Sequence, residues 1–212
     1  GKTTLMRMIM HSIPLDTGTI TLDRPDAEDV ILSSLPASRL AGLGVVKSNQ
    51  VIMDFDELTI WDSVLLSVAE AEYEQPWRMR SERTLFEAQE EEMRNYLEYF
   101  GFDVPTTYAL SAGEKKLLDI IRCLLLKPRF LLLDEPTAGL PDDLTEKVMD
   151  TVRELATGGT TVVVVEHDLN VIWNLCERVL FMAEGKITLT GDPAEIREHH
   201  TVIEKYLGEG HV

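Results

Sequence analysis

The chain has 212 residues and 44% apolar content, which suits one large domain or two small ones around a sizeable core. Lysine plus arginine number 20 against 37 aspartates and glutamates, a net charge of −17 that argues against gripping nucleic acid, because phosphate backbones are held by basic surface. No apolar run approaches the roughly 20 residues that cross a bilayer, so any movement of solutes would need partner chains in the membrane. Cys123 and Cys176 are far apart in apolar helical patterns and are expected as buried free thiols, as in a reducing compartment. No signal peptide is visible.

In chain order, Gly1-Lys2-Thr3-Thr4 precedes Leu5, Met6, Ile9 and Met10 in helical spacing. A Gly-Lys-Thr that opens a helix is the second half of a P-loop: backbone N–H groups cradle phosphates, the lysine reaches the β- and γ-phosphates, and the threonine hydroxyl holds Mg²⁺. Alone, the tetrapeptide reads equally well as a plain helix start. The first half of the motif and its feeding strand are not in the sequence. The chain is therefore expected to derive from a longer product, to have an open apolar slot beside strands such as 162–165 where the feeding strand would lie, and so to bind Mg²⁺-ATP more weakly than that product and be less stable or aggregate through the slot.

Residues 17–23 alternate as a half-buried strand does, 37–43 read as a short helix, and 44–49 as a strand. From 57 to 126 the pattern is helical. Phe86, Met93, Tyr96, Leu97 and Phe100 line one face of an acidic helix whose Glu90-Glu91-Glu92 is its solvated side. Leu117, Ile120, Ile121, Leu124 and Leu125 line another. Beyond Lys127-Pro128, the runs 130–133 and 162–165 are continuously apolar, as strands buried on both faces are. Between them Leu144, Val148, Met149, Val152 and Leu155 form an amphipathic helix ended by Gly158-Gly159. The runs 179–182 and 186–190 read as a hairpin around Glu184-Gly185. Strand–helix alternation at both ends predicts an α/β fold with a mainly parallel sheet and an inserted helical subdomain.

Three constellations bear chemistry. Asp134 and Glu135 fall at the C-terminal end of a buried strand, the edge where open α/β sheets bind ligands. There an aspartate can hold Mg²⁺ and the next carboxylate can polarise a water, although two solvated acids at a strand end would look the same. Glu166-His167-Asp168 ends the 162–165 strand at the same kind of edge. Leu110-Ser111-Ala112-Gly113-Glu114 opens a helix, either as an anion site or as a capping box of Ser111 with Glu114, and both readings can hold together.

These pieces in this order resemble the nucleotide-binding subunit of ABC transporters, over practically the whole chain. Gly1 to Thr4 looks like the end of the Walker A motif, Gln50 like the Q-loop glutamine, and Leu110 to Glu114 like the LSGGQ signature. Phe130 to Asp134 is similar to the Walker B strand, Glu135 to the catalytic glutamate and His167 to the switch histidine. The resemblance implies a P-loop NTPase (RecA-like) core over 1–50 and 128–212, with a helical subdomain over 51–127. It also implies that Gly1, Lys2, Thr3 and Thr4 bind ATP phosphates and that Thr3, Gln50 and Asp134 support Mg²⁺. Glu135 would activate water, Gln50 would assist, and His167 would hold the γ-phosphate. Ser111, Ala112, Gly113 and Glu114 would face the nucleotide of a second ATP-binding subunit, identical or not.

The pattern departs from the signature at Ala112 and Glu114, both mild changes. It also departs at Pro141, where an acid or amide is usual and Asp142 comes one step late, which puts that loop's role across a dimer in doubt. The adenine-stacking aromatic lies outside the sequence. The stretches 44–50, 57–64 and 202–208 look like the subunits serving branched-chain amino acid and urea or short-amide importers. The resemblance further implies permease partners, a solute-binding protein acting indirectly, no nucleic acid, and a cytoplasmic place against the inner face of the plasma membrane. In the segment that the family sets against the permease, some of Ile52, Phe55, Leu58, Ile60 and Trp61 are expected to form an exposed apolar groove. A nucleic-acid-directed ABC ATPase would carry long coiled coils or two cassettes with basic linkers. An idle regulatory cassette fits poorly with Lys2, Gln50, Glu135 and His167 all being present.

Overall fold

The structure, a computed structural model, describes residues 1–24, 27–48, 59–65, 82–103 and 110–203. Its elements in chain order are α1 (Lys2–Ile9), β1 (Thr21–Leu22), β2 (Val30–Ile31), α2 (Ser38–Gly42), β3 (Val45–Lys47), a helical stretch at 60–65, and α3 (Glu82–Phe100). After these come α4 (Ala112–Leu125), β4 (Phe130–Asp134), α5 (Asp142–Thr157), β5 (Thr161–Val165), α6 (Leu169–Leu175), β6 (Val179–Ala183), β7 (Lys186–Gly191), α7 (Pro193–Glu198) and the single turn α8 (His200–Val202). The chain forms two compact units, one of Gly1–Ser34 with Val164–Val212 and one of Leu35–Val163.

The unit of residues 35–163 is built on strand pairing. β3 and β4 run parallel in the register Val45↔Phe130, Val46↔Leu131 and Lys47↔Leu132, and the sheet order is β3-β4-β5. The central strand shows why a continuous apolar run forms here: Leu131, Leu132 and Leu133 are each 0% exposed. Side chains on both faces of a central strand are covered, each contributing about 1.5–3 kcal/mol of burial. The strands are brought together at Gly44, whose carbonyl accepts from the N–H groups of Arg129 and Phe130. Its φ of +76° is a left-handed conformation that favours glycine, and a Cβ built there would lie 3.1 Å from Arg129, so a side chain at this position would be both strained and tightly packed. Both helical faces expected from the sequence are observed. Met93, Leu97 and Phe100 of α3 are buried with Tyr96 half-buried, and so is the whole stripe Leu117, Ile120, Ile121, Leu124 and Leu125 of α4. The side chain of Phe86 lies outside the described ones. α5 buries Val148, Met149 and Val152, leaves Leu144 and Leu155 half-buried, and ends at Gly158 and Gly159, the latter at φ +94°.

In the unit of residues 1–34 and 164–212, β6 and β7 form an antiparallel hairpin, as predicted, with Glu184 and Gly185 both at positive φ (+50° and +78°). That pair of left-handed residues is the tight turn whose twist matches the flanking strands. Phe181 of β6 packs with Ile196 of α7 and Val202 of α8, flanked by Trp173 and Leu189.

Three expectations need correction. The strand over 17–23 is only Thr21–Leu22, paired with Val30–Ile31, because Gly18 turns the chain at φ +93° before it. The run 162–165 is half-buried rather than buried on both faces. β5 lies at the edge of the three-stranded sheet, where one flank has no covering strand among the described residues. Cys123 is buried, but Cys176 is only half-buried, since it caps the end of α6 rather than lying within a helix face.

Candidate functional site

Within the unit of residues 35–163 the sequence-predicted acids converge on a cavity of about 250 Å³ lined by Ser48, Lys116, Asp119, Ile120, Asp134, Glu135 and Pro136. Parallel pairing explains the convergence. β3 and β4 end side by side, so Ser48, one residue past β3, meets Asp134, the last residue of β4. The Ser48 N–H donates to the Leu132 carbonyl at 2.9 Å, and the Asp134 N–H donates to Ser48 Oγ at 3.1 Å. The carboxylate of Asp134 is buried, with Lys47 Nζ 3.9 Å away. Lys47 also donates to the Ser48 carbonyl at 2.8 Å.

Glu135 follows at φ +52°, in the left-handed region where a side chain is normally disfavoured. Its carbonyl accepts from the Ala138 N–H at 3.3 Å and from Lys116 Nζ at 2.7 Å, and the same ammonium donates to the Ala138 carbonyl at 2.8 Å. Sequence reasoning missed Lys47, Ser48, Lys116 and Asp119. Only the parallel pairing of a strand ending Lys-Ser with one ending Asp-Glu could have pointed to the first two.

The donors fit Mg²⁺. It is a hard cation that takes one or two carboxylates together with waters and substrate phosphates rather than an all-protein cage. Asp134, Glu135 and the Ser48 hydroxyl are all oxygen donors at one cavity. Among the described residues no group of three or more His, Cys, Asp or Glu is placed to form such a cage.

At the start of α4 the capping reading of the motif is observed. Ser111 Oγ accepts from the Glu114 N–H at 3.2 Å, and the Ser111 N–H donates to Glu114 Oε2 at 2.8 Å. This is the reciprocal capping box. Ser111 and Ala112 are nonetheless exposed, so that face remains accessible. Gly113 is close-packed: a Cβ built there would lie 3.1 Å from Leu140 Cδ2. Pro141 N-caps α5, and Asp142 and Asp143 form its acidic first turn.

In the other unit, Gly1 is the N-cap of α1, with no side-chain cap bond and no acid in the first turn. The Gly1 carbonyl accepts from the Leu5 N–H at 3.0 Å, so the helix is regular from its first turn and its positive end lies at Lys2, Thr3 and Thr4. Lys2 and Thr3 are half-buried and Thr4 is exposed. His167 is exposed, so it is no core histidine. Its backbone N–H donates to Oε2 of the buried Glu166 at 3.2 Å, and the following Asp168 N-caps α6 through the Asn170 N–H at 2.8 Å. Gln50 lies outside the described residues, as do Ile52, Phe55 and Leu58. Of the expected groove residues that are described, Ile60 is buried at 4% exposure, so it belongs to the core. Trp61 is half-buried, with the Arg94 guanidinium 5.1 Å from its ring centroid.

Residues 1–138 match the family described as ABC transporter. The chain is 30% identical over 224 residues to the high-affinity branched-chain amino acid transport ATP-binding protein LivG of Salmonella typhimurium, covering 99% of this chain and 83% of that one. It is 29% identical over 220 residues to the corresponding protein BraF of Pseudomonas aeruginosa, with 99% and 83% covered. It is also 29% identical over 209 residues to the lipopolysaccharide export system ATP-binding protein LptB of Haemophilus influenzae, with 99% and 82% covered. Among solved structures, an ATP-binding cassette of an ABC transporter in its ADP conformation superposes with a TM-score of 0.74 at 25% identity, over 98% of this chain and 84% of that one. With the nucleotide-binding motifs in order and the P-loop NTPase fold shared with these cassettes, the chain belongs to the ABC transporter family as an ATP-binding domain.

Proposed function

We propose that this chain hydrolyses Mg²⁺-ATP to ADP and phosphate and that the hydrolysis drives solute import through membrane permease subunits. The observation that supports it most is Glu135, placed directly after the buried Asp134 at the C-terminal end of β4 and lining the same cavity. A carboxylate there can take the proton of a water attacking the γ-phosphate, while Asp134, with Thr3 and Gln50, supports the metal. Bound with the nucleotide, Mg²⁺ would neutralise charge that develops on the transferred phosphoryl group.

Gly1, Lys2, Thr3 and Thr4 serve the phosphates with backbone N–H groups, the lysine ammonium and the positive end of α1. His167 holds the γ-phosphate end, and Gln50 assists. Ser111, Ala112, Gly113 and Glu114 meet the nucleotide of a second subunit across a dimer. A solved dimeric cassette bound to ADP and Pi, with a TM-score of 0.72 at 21% identity, has the same fold. The ATPase core comprises 1–50 and 128–212, with 51–127 as the helical subdomain. Among the described residues no helix is long and apolar enough to cross a membrane. The subunit would sit peripherally on the inner face of the plasma membrane, against the permeases.

The solute we propose is a branched-chain amino acid, as in the names of LivG and BraF, delivered by a solute-binding protein. Urea or a short amide is the alternative within the same importer group. Export is a second reading, favoured by the equal identity to LptB. The test is Glu135→Gln in the full-length protein. ATP binding should persist, turnover should fall by about 10²–10⁴, the range for a lost general base, and an ATP-held dimer should accumulate. Wild-type turnover in this variant would refute the assignment. Uptake of labelled leucine against lipopolysaccharide release, measured in cells lacking the gene, separates import from export.

A further inference from the structure

The loop bearing Glu135 is held from outside itself. Residues 135–140 leave β4 through a left-handed Glu135, a conformation that a residue with a Cβ keeps only when its surroundings fix it. Within the loop the Leu140 N–H donates to the Thr137 carbonyl at 3.0 Å, while the bond to the Glu135 carbonyl, from the Ala138 N–H, is long at 3.3 Å. The shorter contacts come from α4, where Lys116 Nζ donates to the Glu135 carbonyl at 2.7 Å and to the Ala138 carbonyl at 2.8 Å. These charge-assisted bonds are the stronger kind.

A second contact lies on the same helix face. Gly113, three residues before Lys116, abuts Leu140 so closely that a Cβ would sit 3.1 Å from its side chain. Residues three apart on a helix share a face. One face of α4 therefore grips both ends of the 135–140 loop, the near end by an ammonium and the far end by packing. The carbonyl held by Lys116 belongs to Glu135 itself, one bond from the Cα that carries the carboxylate. Rotating that peptide re-aims the side chain.

We propose that Lys116 is a positioning residue for Glu135, setting the direction of its carboxylate and tying it to the start of α4 that Ser111 caps. The proposal rests on the reading of Glu135 as the base. Without Lys116 the Glu135 carbonyl loses its shorter bond and keeps the long one from the Ala138 N–H, so its peptide, and with it the carboxylate, is less firmly directed. Catalysis then suffers while nucleotide binding does not, because misplacement of a reacting group by about 1 Å can cost 10²-fold.

The test measures single-turnover hydrolysis of γ-labelled ATP, ATP affinity and melting temperature for the full-length protein, K116M, K116R, E135Q and K116M/E135Q. K116M should lower the rate by about 10–100-fold with ATP affinity within about twofold of wild type, as expected of misplacement. K116R, which still donates to both carbonyls, should recover most of the rate. In the E135Q background K116M should cost nothing further, since there is no base left to position. An equal loss in both backgrounds, a full rate in K116M, or a parallel loss of ATP affinity would each overturn the proposal. If K116M does not fold, K116Q, too short to reach both carbonyls, should show the same split, and an unchanged rate in it overturns the proposal. E135Q at wild-type rate would strike the base assignment and this proposal together, whereas an inactive E135Q beside a fully active K116M strikes the positioning alone.

Discussion

The backbone N–H of Asp134 donates to the hydroxyl of Ser48 at 3.1 Å, joining two residues 86 positions apart at the ends of adjacent parallel strands. Both residues are buried, at 6% exposure each, so the bond is shielded from water. Removing the acceptor leaves a buried donor unsatisfied, at a cost of about 1–3 kcal/mol. Ser48→Ala is therefore expected to lower the melting temperature by that equivalent, and Ser48→Thr to retain most of it. Because the bond fixes the residue proposed to support Mg²⁺, the Mg²⁺ concentration for half-maximal turnover should also rise in Ser48→Ala. An unchanged melt and an unchanged Mg²⁺ titration would show that Ser48 orders neither the strand end nor the metal site.

Ser111 offers a way to separate capping from recognition. As the N-cap of α4 its hydroxyl is worth about 1 kcal/mol, which Ser111→Ala should lose as a lower melting temperature. Aspartate caps about as well as serine, so Ser111→Asp should melt near wild type. If the exposed face of this motif meets the nucleotide of a second subunit, the added charge opposes the phosphates, and ATP-driven dimerisation should fail in a well-folded protein. Sedimentation of the two variants with ATP distinguishes the cases. Dimers of Ser111→Asp at wild-type nucleotide concentration would confine Ser111 to capping.

The features legible in the sequence were those encoded within a few residues of one another. The capping box spans Ser111 to Glu114, the hairpin turn is the Glu184-Gly185 pair, and the buried stripe of α4 repeats every three to four residues. Features set by distant segments were not legible. Lys116 reaches Glu135 across 19 residues and Ala138 across 22, and no spacing rule links a helix lysine to a loop carbonyl. Lys47 lies beside Asp134 only because β3 and β4 are parallel and in register, which the apolar runs do not specify. The half-burial of 162–165 follows from its place at the end of the order β3-β4-β5 and not from the valines, which read alike in a central or an edge strand, and it agrees with the open slot expected beside this run. Ile60 likewise reads as part of an apolar surface segment, and its burial depends on the tertiary neighbours of the 60–65 helix.

The β6–β7 turn predicts a stabilising change. Glu184 sits at φ +50°, where a side chain with a Cβ is strained and asparagine is tolerated better. Asn-Gly is the preferred pair for a turn with both central residues left-handed. Glu184→Asn should thus raise stability by about 0.5–1 kcal/mol, read as a higher melting temperature. Gly185→Ala should act in the opposite direction, because Gly185 is at φ +78°. If Glu184→Asn melts no higher than wild type, the turn does not limit the stability of this hairpin.

Cys123 predicts a dependence on pH. Burial, the largest influence, and the nearby Asp119 push its thiol well above the ordinary value, outweighing the opposite pull of Lys47 and Arg122. A group whose pKa is raised by folding gives stability that is fully present below its unfolded value and is lost as pH rises toward its folded value. The unfolded thiol ionises near pH 8.5, so the folded state should lose up to about 1.4 kcal/mol per pH unit above that point. The half-buried Cys176 is shifted the same way by burial and adds to the loss, whereas Tyr96, raised by burial and by Glu92 and Glu154, adds its share only above about pH 10. Urea unfolding between about pH 8 and pH 10 should therefore show a shallower decline in Cys123→Ala than in wild type, even though the variant starts less stable. Native-state thiol titration should find Cys176 reacting first and Cys123 only on unfolding, because the thiolate is the nucleophile. Equal slopes in the two proteins, or rapid labelling of Cys123 in the folded state, would show that its thiol ionises as freely in the fold as out of it.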